Sequence, residues 1–225
     1  MELPSGITNE EAHRLATEGG AECWRCPLMG CGRGPVFGEL RPGSKMHGVA
    51  EAPGNTEVDE GRILAGETGK VVRGAMAAGG LEDDEVSLSN ALLCQPPMGL
   101  AEYLDKLARD HRRLTRAWEL RKADCERQDT VFDAASDPKP ELVTPMECCA
   151  PRLARDIATV GSKVLLAIGA AALKTVAEVE GVAFGKVRVG PGEPRVLQLK
   201  DQCNHPVDLA DGRVLMATYH PAFAM

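Results

Sequence analysis

Residues 163–169 read KVLLAIG, a continuous apolar run, and an alanine-rich segment follows it as far as Glu180. A strand that is apolar on both faces is typical of a parallel sheet with helices packed on both sides. We therefore predict that this run is a central strand of an open α/β sheet. The segment after it is predicted to be a helix.

Three other stretches also read as short strands. Residues 45–50 and 212–218 are short and apolar, and residues 85–93 alternate polar and apolar side chains. Each stretch is followed by proline or glycine, which ends a strand. The chain is therefore predicted to carry four strands in all.

Helical patterns fill most of the remaining sequence. Thr8 with Glu11 forms a capping-box pattern at the start of residues 7–19, and residues 66–80 have apolar side chains at loosely helical spacing. Residues 100–127 give the clearest long helix. Residues 133–145 contain three prolines and are predicted to be an exposed loop, with another helix starting near Pro145.

Length and composition limit the classes of protein. A chain of 225 residues that is 44% hydrophobic can bury one substantial core, which favours a single domain. The formal net charge of -7 argues against a protein that coats nucleic acid by bulk charge. The sequence has no signal-peptide pattern and no apolar run long enough to span a membrane, so we predict a cytoplasmic or nucleoid-associated protein.

Eight cysteines in such a protein indicate metal or redox chemistry rather than disulfides. The pair Cys23 and Cys26 alone is compatible with zinc, redox and iron-sulfur sites. Cys94 after a strand and Cys149 in a helix are the best partners, although Cys148 competes with Cys149. From spacing alone the metal is either iron or zinc. The other three cysteines are predicted to be ordinary thiols: Cys31, Cys125 and Cys203.

A series of motifs gives the chain a wider resemblance. In order along the sequence they are Cys23-x-x-Cys26-Pro-Leu, Val36-Phe-Gly-Glu39, Val49-Ala-Glu-Ala-Pro-Gly54 with Glu57, Gly61 to Gly69, Asn90-Ala-Leu-Leu-Cys94-Gln-Pro-Pro97, Cys149-Ala-Pro-Arg-Leu153 and Thr218-Tyr-His-Pro221. This order is similar to that of the family 4 uracil-DNA glycosylases, the iron-sulfur branch of the uracil-DNA glycosylase superfamily.

The resemblance implies a three-layer α/β/α fold with a central, mostly parallel four-stranded sheet, in one domain over residues 1–225 with a helical insertion at about 98–145. It implies a monofunctional DNA glycosylase that flips out uracil or a related pyrimidine and hydrolyses the N-glycosidic bond. It also implies a structural 4Fe-4S cluster, which would be held by Cys23, Cys26, Cys94 and Cys149.

The resemblance further implies the roles of individual residues. His220 would donate a hydrogen bond to the base oxygen that becomes negative, and Asn90 would read the base edge. Glu51 would position water or stabilise the sugar cation, with Glu57 in reserve. Because ligands bind at the carboxyl ends of strands in open α/β sheets, these side chains are expected at one edge. The remaining predicted substrate contacts are Ala52, Pro53, Gly54, Leu64 and Pro221.

Three features depart from the family pattern. Leu64 stands where a phenylalanine would stack on uracil, so the preferred base is left open. The insertion at 98–145 is rich in arginine and lysine, which is consistent with a phosphate-binding surface, with a replication or repair protein as partner, or with a solvated helix face. The sequence ends five residues after His220, where family members usually continue, so the fold is either trimmed or part of a longer protein. A catalytically weak DNA-binding module is the alternative function, and a zinc-stapled domain unrelated to DNA is the third.

Overall fold

A computed structural model of the chain describes residues 8–182, 203 and 205–221. The predicted single domain over residues 1–225 also includes residues 1–7, 183–202, 204 and 222–225, which lie outside the described residues. None of the described helices is both long and apolar enough to cross a membrane.

In the part of the chain that the structure describes, one five-stranded sheet forms the centre of the fold, in the spatial order β2-β1-β3-β5-β4. The first four strands in this order are parallel neighbours, as predicted, whereas β4 pairs antiparallel with β5 at the edge. The predicted number of four strands was wrong because β4 is only two residues long and carries no readable alternation. The strands are β1 (Met46–Ala50), β2 (Val86–Asn90), β3 (Val164–Ile168), β4 (Val207–Asp208) and β5 (Val214–Thr218).

Within the described residues, six α-helices accompany the sheet, together with two single-turn 3-10 helices, Cys23–Arg25 and Asp83–Glu85. The start of α5 shows how the local sequence sets a boundary. Thr144 accepts a hydrogen bond from the N–H of Glu147, and the Glu147 carboxylate accepts one from the N–H of Thr144, a capping box worth about 1 kcal/mol. The helices are α1 (Asn9–Glu18), α2 (Asn55–Glu60), α3 (Glu67–Ala78), α4 (Leu100–Arg127), α5 (Pro145–Val160) and α6 (Ala170–Val179).

Helices cover both faces of the sheet, which confirms the predicted three layers. On one face, Leu153 of α5 and Leu173 of α6 pack on Leu165 and Leu215 of the strands. On the other face, α3 packs against the alternate strand residues together with the buried Ile63. Because the central strands contribute apolar side chains to both layers, the apolar run at residues 163–169 is buried as the sequence predicts.

The segment from Leu100 to Leu142, which we call the arm, projects from this core. The first two turns of α4 pack into it through Tyr103, Leu104 and Leu107. Beyond them α4 packs on the segment that returns along it. The Trp118 Nε1–H donates to the Asp137 carbonyl at 2.8 Å, and its ring meets Phe132 edge-on with centroids 5.3 Å apart. The stretch predicted as an exposed loop is therefore held against the helix.

Candidate active site

A pocket of about 460 Å³ lies at the carboxyl ends of β1, β2 and β5. This volume is within the range of about 300 to 1,000 Å³ that small-molecule sites occupy. Three predicted polar residues line it together: Glu51, Asn90 and His220. The predicted substrate contacts Ala52, Pro53, Gly54 and Leu64 line it as well, as does Glu57.

Glu51 directly follows β1 and reaches the first turn of α6. Its Oε1 accepts a hydrogen bond from the N–H of Ala171 at 3.0 Å, at a helix start where no side chain of its own provides a cap. Gly169 makes this approach possible, because its φ is +98° and an added Cβ would lie 2.3 Å from Glu51 Oε1. The carboxylate is thus fixed in place at the pocket wall.

Glu57 is buried in α2 and holds the loops of the pocket together. One carboxylate oxygen accepts from the N–H of Gly54 and the other from the N–H of Gly66, both at 3.0 Å. The two loops that flank the pocket are therefore joined through a single side chain, whose two oxygens are both engaged.

Asn90 ends β2 with its side chain buried at the pocket. Its Nδ2 has no hydrogen-bond partner among the described residues. Its backbone carbonyl accepts from Arg152 of α5 at 2.6 Å, and the same guanidinium nitrogen donates to the Ala91 carbonyl at 3.1 Å. A buried amide without a partner is costly, and the Asn90 Nδ2 is therefore available to a ligand in the pocket.

Arg152 is itself buried and belongs to a polar network under the strand ends. It forms an ion pair with Asp156 at 2.5 Å, with Asp156 one turn further along α5. His47 of β1 contacts Ser89 of β2 through Nε2 at 2.8 Å. Burial, followed by the positive charge of Arg152, lowers the pKa of His47 to about 4. His47 is therefore neutral in the folded protein.

Leu64 lines the pocket from the loop between α2 and α3. Its φ of +49° lies in the left-handed region, which costs an ordinary residue about 1 to 2 kcal/mol. Arg73 of α3 holds this loop by donating to the Ile63 carbonyl at 3.1 Å, and Gly69 packs directly beneath the Leu64 carbonyl, where no Cβ would fit. Strain of this kind at a pocket is typical of a ligand-contacting loop.

Two residues of the last predicted motif separate in space. His220 lines the pocket, whereas Pro221 lines an apolar groove between α3 and β5. The substrate contact of Pro221 stays a prediction.

Three polar pocket residues were missed by the sequence reasoning: Asn55, Thr68 and Gln95. Asn55 Oδ1 accepts from Gln95 Nε2 at 3.0 Å and from Arg33 at 3.1 Å, which forms a polar rim. The only signal for Gln95 was its position next to Cys94, and a single amide beside a turn indicates no particular role.

A second cavity lies behind the pocket. It is lined by His13, by apolar side chains and by five cysteines: Cys23, Cys26, Cys94, Cys148 and Cys149. Met98 and Leu100 of the pocket wall belong to the same apolar cluster as Cys94 and Cys149. The predicted ligands are thus brought together, although within the described ranges no three His, Cys, Asp or Glu side chains converge closely enough for a single metal ion.

Cys148 and Cys149 of α5 are the two candidates for the fourth cysteine ligand, and their effects on the other thiols can be compared. Burial and then repulsion from Cys149 raise the pKa of Cys94, and both causes also contribute to the raised pKa of Cys26, which is about 12. Cys149 also acts on Cys23, whereas Cys148 influences only Cys26 among these three. Both cysteines line the cavity, and Cys148 also forms a side-chain hydrogen bond with Cys26, so Cys149 as the fourth ligand stays a prediction.

The remaining cysteines lie outside this cavity, as predicted for ordinary thiols. Cys31 is exposed, and its Sγ donates to the Pro27 carbonyl at 3.3 Å. Cys125 is on the arm and Cys203 bridges to β5.

Comparison with known proteins places this arrangement in context. A family model described as the uracil DNA glycosylase superfamily matches residues 37–225. The match covers the pocket and four of the eleven residues that line the cavity, among them Cys94 and Cys149, whereas residues 1–36, with α1 and the first cysteine pair, lie outside it.

Three curated relatives carry the name type-4 uracil-DNA glycosylase. The protein from Sulfurisphaera tokodaii is 24% identical over 204 residues, which is 90% of this chain and 71% of the relative. The protein from Thermotoga maritima is 22% identical over 97% of this chain and 85% of the relative. The protein from Pyrobaculum aerophilum is 32% identical over 75 residues, a third of this chain.

Proposed function

The chain belongs to the uracil-DNA glycosylase superfamily, and from this premise we propose that it is a monofunctional DNA glycosylase. It would take a base out of the DNA stack into the pocket and hydrolyse the N-glycosidic bond, leaving an abasic site. DNA is accordingly its proposed macromolecular partner.

One observation carries this proposal more than any other. The pocket at the carboxyl edge combines a carboxylate, an amide and an imidazole, and the buried Asn90 Nδ2 has no partner among the residues described. An amide offers a donor and an acceptor, which is what recognition of a pyrimidine edge requires. Such a group, held in a wall with its backbone fixed by Arg152, is preorganised for a base.

The three side chains are proposed to divide the work. Asn90 binds the base edge, and His220 donates to the oxygen on which negative charge develops, a contact worth about 3 kcal/mol of barrier. Glu51 supplies a fixed negative charge for the cationic sugar, since its Oε1 is held by Ala171. Glu57, with both oxygens bound to backbone N–H groups, is proposed as a positioning residue of the loops rather than as a base.

The proposed substrate is uracil or a related modified pyrimidine. Leu64 offers an apolar but not a flat surface to the base, and an aromatic stacking partner is typically worth about 1 to 3 kcal/mol. The pocket should therefore hold the base less tightly than one with an aromatic wall, and it should tolerate more variation in the base.

A structural 4Fe-4S cluster is proposed in the cavity lined by cysteines, on Cys23, Cys26, Cys94 and Cys149. The donor set fits: four thiols from three segments surround one cavity, and each iron of such a cluster takes one thiolate. The cluster is proposed over zinc on the resemblance of the motif order to the family 4 uracil-DNA glycosylases, since the cysteine spacing alone allows either metal. When bound, the group would join the segments and take no part in the hydrolysis.

The arm is the proposed site of a further partner. A replication or repair protein is one candidate for that surface, and the DNA backbone is the other.

Single-turnover excision assays test the proposed activity. Enzyme in excess is mixed with single- and double-stranded oligonucleotides that carry uracil or a 5-substituted uracil, and abasic sites are counted after alkaline cleavage. His220→Ala should lower the rate by about 100-fold or more, because it removes one donor to the developing oxyanion.

The matched control is His205→Ala, which removes a histidine that is exposed outside the pocket. It should retain the rate, and both variants should keep the unfolding temperature. Binding of DNA without excision of any base at stoichiometric enzyme would overturn the proposed activity. It would favour the alternative, a binding module that keeps the fold, for which Leu64 is the supporting feature.

A further inference from the structure

One face of the arm presents a row of arginines to solvent, and we propose that this face binds the phosphate backbone of DNA several nucleotides away from the base in the pocket. This inference rests on the proposed function for the position of the base but not for the binding itself. The row consists of Arg109, Arg112, Arg113 and Arg116, which are all exposed.

Helix geometry brings these side chains onto one side. Residues three, four and seven apart share a face of an α-helix, and 109, 112, 113 and 116 follow that spacing. The opposite side of α4 is already occupied: His111 contacts the Pro140 carbonyl at 3.1 Å, and Trp118 packs on Phe132. The return segment thus turns the arginine face outward and fixes it there.

The charges on this face are largely uncompensated. Of the four arginines, only Arg113 has an ion pair in the described structure, a long one of 3.9 Å to Asp110. Asp110 already pairs with Lys106 at 2.9 Å, and Arg121 on another side of the helix is neutralised by Asp137. Arg112 and Arg116 form no ion pair among the described residues, and Arg109 interacts with Asp110 only at longer range, so all three can contact an anionic partner.

The position of the row relative to the pocket suits a long polyanion. Gly99 and Leu100 line the pocket, so α4 begins at its wall. At 1.5 Å per residue, Arg109 lies about 14 Å and Arg116 about 24 Å along the helix from Leu100. These distances correspond to about four to seven nucleotide steps of a B-form strand.

The partner class follows from the chemistry of the face. The row carries almost no apolar surface apart from Leu120, whereas the anchors of protein interfaces are usually aromatic or aliphatic groups that become buried. A chain with a net charge of -7 also needs a local cationic surface to approach DNA. Phosphates are therefore favoured over a protein partner.

The test compares binding and excision for the triple variant Arg109→Gln, Arg112→Gln, Arg116→Gln. Binding to an undamaged 25-nucleotide single strand is measured by fluorescence anisotropy over a range of salt concentrations. Each lost phosphate contact lowers the slope of log K against log salt by about 0.7 for single strands, so the triple variant should lower it by about 2. Single-turnover excision is measured on a 25-nucleotide and a 5-nucleotide strand with central uracil, and only the longer strand should be affected.

The matched control removes three exposed cations from outside the arm by Arg14→Gln, Lys45→Gln and Lys163→Gln, which changes the net charge equally. Its salt slope should fall by much less than that of the arm variant. An unchanged slope in the arm variant would overturn the inference and leave the face for a protein partner. Equal slopes in the two variants would also overturn it, since bulk charge would then be sufficient. If undamaged DNA shows the expected loss while no substrate is cleaved, the proposed activity fails and the arm surface stands.

Discussion

The pocket and the cavity lined by cysteines lie back to back, yet they are built in opposite ways. The pocket is open and polar, and its walls are loops tied by backbone hydrogen bonds to carboxylates such as Glu57. The cavity is lined by apolar side chains, thiols and His13. Cys94 of the cavity lies only four positions after Asn90 of the pocket. One short stretch after β2 therefore contributes both to the proposed recognition of the base and to the stabilisation of the fold.

Arg152 is the physical link between these two regions. It lies one turn after Cys149 in α5 and donates to the carbonyls of Asn90 and Ala91. A helix that carries a proposed cluster ligand thereby fixes the backbone of the proposed base-binding residue. Substitutions in the pocket, in the cavity and at Arg152 test how far the two regions depend on each other.

The largest effect is expected from Cys149→Ser compared with Cys148→Ser. Loss of a proposed cluster ligand should abolish the iron-sulfur absorption and lower the unfolding temperature by about 10 °C or more, because the segments lose their common anchor. Cys148→Ser should keep both properties. Absorption spectra, iron content and thermal unfolding provide the measurement, and a reversed result would move the fourth ligand to Cys148.

Arg152→Met should cost about 3 to 5 kcal/mol of unfolding free energy. It leaves two buried carbonyls without their donor and Asp156 without its ion-pair partner. Excision should fall by more than the cluster content does, because the Asn90 backbone loses its support. Arg152→Lys should restore part of the excision rate; equal losses in cluster content and in excision would contradict a specific link to the pocket.

Acidic pH should destabilise the polar network under the strand ends through protonation of His47. Its pKa is about 4 in the folded protein against 6.5 ordinarily, so the unfolded chain binds the proton more readily. The contribution of His47 to stability is therefore intact above pH 6.5 and decreases as pH falls toward 4, by about 3 kcal/mol. Chemical unfolding at several pH values should show this slope in the native chain and a smaller slope in His47→Gln. Parallel curves for the two proteins would refute it.

The smallest effect is expected from Leu64→Phe at the pocket wall, where the Leu64 side chain is also part of the apolar cluster under α3. A flat ring beside the base should strengthen binding of uracil-containing DNA about 5- to 100-fold, in line with about 1 to 3 kcal/mol for base stacking on an aromatic side chain. Leu64→Met is the control, because it keeps the volume and offers no ring. Affinity measured in the His220→Ala background avoids turnover, and equal affinities of the Phe and Met variants would argue against a base at this position.

The sequence predicted the parallel strands well because their burial on both faces leaves a plain apolar signal, as at residues 163–169. The family resemblance named most of the pocket residues, and their places after strands explain why Glu51, Asn90 and His220 share one edge. The hydrogen-bond partners of those residues could not be predicted from the sequence. That Glu51 would hold Ala171, or that Arg152 would reach Asn90, depends on contacts between residues 62 to 120 positions apart, for which no local pattern exists.

Short elements could not be predicted from the sequence for a related reason. The two-residue strand β4 and the one-and-a-half-turn helix α2 are too short to show a period. Residues 133–142 are mostly exposed, as their composition predicts, but contacts with His111, Trp118 and Arg121 of α4 hold them against the helix. Pattern reasoning reports what a segment prefers alone, whereas tertiary partners decide these cases.

The geometry of the arm has a consequence for how the protein can be altered. The arm begins with α4 just after Met98, and the segment that follows α4 leads to Met146 at the start of α5. Both methionines belong to one apolar cluster, so the two ends of the arm are neighbours. Beyond its first two turns, α4 packs on its own return segment. The arm is thus an interchangeable module: residues beyond Leu107 can be shortened, replaced or transplanted while the sheet and its pocket keep their connectivity.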